Sequence, residues 1–175
     1  MSTPSPLART SQTLALSFMS IVVVLGVLVA FSIPDADLRL PPVYVIAGQV
    51  VAGVVIGLLG TTIGFRTVPI AAGTPPEEAS REGMQKHQTS MILRLVLSEV
   101  VALASLALAF VLDEGQLVTY VVGAVVSLAL MGLFAYPSAR TVRRIEASLD
   151  SAGARSRLAE EFGVGEGPSS THQVL

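Results

Sequence analysis

The chain has 175 residues, of which 51% are hydrophobic and 14% charged, with a mean hydropathy of +0.68. A soluble domain carries roughly 25% charged residues, so lipid is the solvent for much of this chain. The net charge of -2 offers no basic surface for nucleic acid, and the absence of cysteine excludes disulfides, thiolate nucleophiles and cysteine-ligated metals.

After an N-terminal segment, residues 1–12, four apolar stretches follow at residues 13–33, 43–65, 91–112 and 117–136. Each has the roughly 20 residues that cross about 30 Å of hydrocarbon as a helix. None alternates with period 2, so helices rather than barrel strands are expected. The first stretch has a longer apolar core than a signal peptide and no small-x-small cleavage pattern after it, so it is expected to be retained. Pro34 ends it, Pro41 and Pro42 open the second stretch, and Asp113-Glu114-Gly115-Gln116 turns the third into the fourth. The expected fold is an all-α membrane protein whose transmembrane domain, residues 13–137, is built as two tandem antiparallel hairpins.

Between the hairpins, residues 66–90 form a polar loop. Within it, Thr74-Pro75-Pro76-Glu77 carries the marks of a helix start, giving a polar stem that runs into the third span, the alternative being an interruption at Gly83. Beyond Pro137, residues 138–162 place Val142, Ile145, Leu149 and Ala152 on one face, an amphipathic helix that breaks near Gly153. Residues 163–175 have the composition of a disordered end. Arg140, Arg143 and Arg144 sit where each gains about 1 kcal/mol near anionic lipid.

Orientation follows from Lys and Arg. Arg9, Arg66, Arg81, Lys86, Arg140, Arg143, Arg144, Arg155 and Arg157 fall on the N-terminus, central loop and tail, whereas the hairpin turns carry Arg39 alone. Both termini and the loop are therefore expected in the cytoplasm. Because every basic residue but Lys86 is arginine, and Ala, Val and Gly abound, the composition suggests a GC-rich bacterial genome and the bacterial inner membrane.

The second span carries Gly53, Gly57, Gly60 and Gly64 on one face, with Gln49 one turn before them. The third repeats the spacing with Ser98, Ala102, Ser105 and Ala109. Small-residue stripes let membrane helices approach closely, so the two stripes are expected to pack on each other. Two charges fall inside the spans. Arg94 lies about a turn from the cytoplasmic end, where its stem is expected to snorkel to the headgroups. Glu99 lies roughly 12 Å deep and cannot reach water. Its expected partner is on another helix, with Gln49, Tyr120, Ser20 and Ser127 as candidates. Glu99, Gln49 and Arg94 form the candidate intramembrane polar site, with Glu99 either a proton or cation carrier or a polar tie between helices.

His87 and His172 lack metal-ligand neighbours at useful spacing, and no phosphate loop or nucleophile with its base is present. No catalytic site, metal or cofactor is expected. Function is expected to be that of an accessory or assembly subunit binding other membrane proteins, or else copies of itself, with the glycine stripes and arginine-rich tail as surfaces. The alternative is a small proton- or cation-coupled transporter or channel centred on Glu99.

Overall fold

The computed structural model describes residues 5–33 and 38–164 and, among them, contains helices and no strands. The elements are α1 (Pro6–Ser32), α2 (Val43–Thr62), α3 (Pro76–Val111), α4 (Gln116–Leu130), α5 (Ala139–Leu149) and α6 (Leu158–Glu161). Four are long and apolar enough to cross a membrane: α1, α2, α3, and α4 together with the π-helical turn Met131–Ala135 that continues it. The residues between Ile33 and Leu38, and the end expected to be disordered beyond Val164, lie outside the described residues.

α1 starts well before Thr13. Pro6 opens it at the first helical position, and the Ser5 hydroxyl accepts from the Ala8 N–H at 3.3 Å. The Ser5 N–H in turn donates to the Glu161 carbonyl at 2.9 Å, tying this end of α1 to α6. α3 runs unbroken for 36 residues, about 54 Å. The helix is longer than the roughly 30 Å of bilayer hydrocarbon. Gly83 does not interrupt it. A Cβ there would stand 2.9 Å from the Ser156 Cβ, so the glycine makes room for the returning chain.

α3 and α4 pack along each other, and α1 and α2 each pack against that pair rather than substantially against each other. The first two spans are thus consecutive helices that make little contact with each other. An apolar cluster that includes Ala15, Val22 and Val29 of α1, Leu95 and Ala102 of α3, and Tyr120 of α4 joins three of the helices. The two turns meet at Gly115, whose φ is +67° and whose added Cβ would lie 2.5 Å from the Pro41 nitrogen.

A second apolar cluster forms a cap at the stem end. Val142, Ile145 and Leu149 of α5 pack with Phe65 and Ile70 of the loop, Met84 of the stem, and Leu158 and Phe162 of the last turn. The Ile70 N–H donates to the Leu149 carbonyl at 2.9 Å. Lys86 holds the loop to the stem through the Val68 carbonyl at 2.7 Å. The apolar face of the amphipathic tail is therefore covered by this chain itself. Gly153, at φ +95°, ends the short 3-10 turn Asp150–Ala152 after α5 and lets the chain fold back.

Candidate intramembrane polar sites

The residues expected to make one polar site lie in three separate places. Gln49 of α2 is buried, and its Nε2 donates to the Ser105 Oγ of α3 and the Thr119 carbonyl of α4, both at 2.8 Å. One side chain thus ties three helices. Ser105 reaches this position because α4 has Gly123 opposite it; a Cβ there would lie 1.8 Å from the Ser105 Oγ. The Ser105 hydroxyl itself donates to the Val101 carbonyl at 2.7 Å, which leaves its lone pairs for Gln49.

Arg94 turns inward and is 1% exposed, contrary to the snorkelling expectation. Its Nη1 donates to the Phe134 carbonyl at 2.7 Å and its Nε to the Ser90 carbonyl at 3.1 Å. The physical reason lies on the facing helices. At the end of α4 the Tyr136 N–H closes a π turn onto Met131, Pro137 has no N–H, and the Ser138 N–H donates to Tyr136. The Phe134 carbonyl is left over, at the negative end of a helix, and a guanidinium satisfies it. Gly64 gives the stem its path, since a Cβ there would lie 2.6 Å from the Arg94 Cγ. The Ser90 hydroxyl donates to the Gly64 carbonyl. Over the Phe65 ring lie two guanidiniums, Arg94 at 4.4 Å and Arg144 of α5 at 4.2 Å from the centroid.

Glu99 lies on the other side of α3, one turn from Leu95 and Ala102, which belong to the cluster shared with α1. It is partly exposed, and among the described residues it makes no hydrogen bond or ion pair. None of its expected partners is joined to it. The Gln49 Nε2 donates to Ser105 and Thr119, the Ser20 hydroxyl donates to the Leu16 carbonyl of its own helix, and the buried Gln49 Oε1 and Ser127 hydroxyl have no hydrogen-bond partner among the described residues. Tyr120 is within electrostatic range, but its hydroxyl donates to the Val22 carbonyl at 2.6 Å and so pins α1 to α4.

The small-residue stripes also part company. Gly53 and Gly57 face α4, where added Cβ atoms would meet Val126 at 2.4 Å and Leu130 at 3.3 Å. Their near neighbours are α4 side chains rather than the α3 stripe, and part of the groove between α2 and α4 stays open. Ser98, Ala102, Ser105 and Ala109 are all buried within the bundle, while a Cβ added at Gly60 would meet nothing within 4 Å.

Outside the spans, His87 is fully buried against Phe162, with ring centroids 4.9 Å apart. Burial, and secondarily the charge of Arg94, lower its pKa to about 4. It is a neutral core residue of the cap. No group of three or more His, Asp or Glu side chains that would hold a metal occurs among the described residues.

Sequence reasoning passed over Gly123, Phe65 and Phe134. Gly123 shares its span with Gly132, and nothing local sets the two apart. Nothing local distinguishes Phe65 or Phe134 from residues that face lipid. No family model, curated protein or solved structure matches this chain.

Proposed function

We propose that this protein is a non-catalytic subunit of a bacterial cytoplasmic membrane complex and that it docks another membrane protein along the Glu99 side of α3. Both termini and the stem cap lie in the cytoplasm in this reading, and the two turns face outward. The observation that carries the docking role is the contrast among the three intramembrane polar residues. Gln49 and Arg94 are tied within the chain. Glu99, partly exposed, is not. A carboxyl near the helix centre costs about 3 kcal/mol on insertion scales, and a donor on a neighbouring protein offsets that cost.

The separation of the three residues favours docking over transport. A proton or cation path needs several polar groups in succession. Glu99 stands on the α1 side of α3, whereas Gln49 reaches Ser105 of α3 and Thr119 of α4, and Arg94 reaches the Phe134 carbonyl at the end of the fourth span.

The test places a photo-crosslinking residue at Val96 or Leu103, the exposed positions flanking Glu99. One membrane protein should be crosslinked in whole cells, and the adduct should disappear in Glu99→Leu while Glu99→Gln, which still hydrogen-bonds, retains it. Purified protein in proteoliposomes should show no Glu99-dependent proton or cation flux. Such flux, or crosslinking only to lipid or to a second copy of this chain, overturns the proposal.

A further inference from the structure

Two cavities on the α2/α4 side of the molecule are neighbours. The upper one, about 230 Å³, is lined by Phe65, Leu133, Phe134, Arg140, Thr141 and Arg144. The lower one, about 420 Å³, is an open apolar groove between α2 and α4 that contains Val54, Gly57, Leu58 and Ala129. Leu133 and Phe134 line both. Thr61, on the wall of the groove, accepts from the Arg144 Nη2 through its carbonyl at 3.3 Å. A polar cup thus adjoins an apolar furrow, with Leu133 and Phe134 at their common border.

The cup is short of negative charge. Among the described residues neither Arg140 nor Arg144 pairs with a carboxylate, and Arg144 lies over the same Phe65 ring as the buried Arg94. Guanidiniums this close repel one another, and an anion between Arg140 and Arg144 would relieve that repulsion. The Thr141 hydroxyl beside them is hydrogen-bonded to the Ser138 hydroxyl at 3.0 Å. The cup is too small to seat a helix, which is about 10 Å across, whereas the furrow below it has the form of a slot for a hydrocarbon chain. We propose that this site binds an anionic phospholipid, its phosphate on Arg140 and Arg144 and an acyl chain along the α2/α4 groove. The site shares no residue with the Glu99 surface and does not depend on the docking role.

Native mass spectrometry of the full chain in detergent tests this, with phosphatidylglycerol and phosphatidylcholine of identical acyl chains as probes. Phosphatidylglycerol should be retained preferentially. Arg140→Gln should weaken that retention about fivefold, the ordinary contribution of one arginine at an anionic surface. Arg140 makes no hydrogen bond or ion pair among the described residues, so this variant leaves the fold intact. Ala129→Phe, at an exposed position on the groove, should plug the furrow and weaken retention with both arginines in place. Equal retention of the two lipids, or retention unchanged in Arg140→Gln, overturns the proposal. So does an Ala129→Phe variant that binds normally while free glycerol phosphate competes, because the site then takes a soluble anion.

Discussion

At the scale of single residues, the molecule is held by a few places where a missing Cβ and a polar group face each other. Gly123 is the sharpest. Its absent side chain lets Ser105 come close enough to α4 to receive the Gln49 amide, so one glycine supports a three-helix tie. Gly123→Ala should separate α3 from α4 and lower stability by about 1 to 3 kcal/mol, as overpacking does, with the Gln49 bonds lost in addition. Gly60→Ala is the comparison. It meets nothing within 4 Å and removes a flexible residue from a helix, so it should be neutral or stabilising by a few tenths of a kcal/mol up to about 1. Thermal unfolding in detergent separates the two outcomes; similar melting temperatures would mean that Ser105 and Gly123 do not fit as described.

At the scale of elements, the cap joins α5, α6 and the α3 stem through His87 and Phe162. His87 has a folded pKa of about 4, against about 6.5 when exposed. Above pH 6.5 both states are neutral and the full stability is present. Between 6.5 and 4 the opened state binds the proton more tightly, so closure weakens as pH falls, by roughly 3 kcal/mol in all, and the loss levels off below 4. Glu146 works in the other direction. Burial raises its pKa above the usual carboxylate range, partly offset by the Ala159 N–H, so its contribution favours closure at low pH and is lost as pH rises. The two are separated by comparison with His87→Phe. After division by the intrinsic exchange rate at each pH, amide protection in residues 154–164 should fall between pH 7 and 5 more in the parent than in that variant; an equal fall in protection would show that His87 does not gate the cap. The sequence revealed the elements well because hydropathy and proline are local signals. It did not reveal their partners. Whether Arg94 turns outward or inward depends on the path left by Gly64 and on a spare carbonyl at Phe134, neither of which is near it in sequence. The stripe of α2 shows that something packs closely there, but only the side chains of α4 decide what. In the same way the apolar face of α5 is visible in its spacing, while the surface that covers it comes from Phe65, Ile70 and Met84.

At the scale of the whole molecule, the cap and the arginine-lined cup gather at one end of the bundle, with the Arg39 turn at the other. Arg39 and Glu114 connect the two turns across 3.6 Å as an exposed pair, a contact that adds little stability. The proposed orientation puts the cap in the cytoplasm because that end holds nearly all the basic residues and translocating them is disfavoured. A chain without cysteine is well suited to testing this. Single cysteines at Leu38, exposed beside one turn, and at Arg155, exposed on the cap, each change a surface position. In intact cells, a membrane-impermeant maleimide should label the Leu38→Cys protein and leave Arg155→Cys unlabelled until the membrane is permeabilised. The reverse pattern would place the cap outside, and the arginine cup would then face the outer leaflet. Labelling of both in intact cells would mean a mixed insertion, which a charge difference as one-sided as this should prevent. Adding two lysines beside Leu38 should weaken the bias and increase the labelling of the cap position, linking the orientation to the charges themselves.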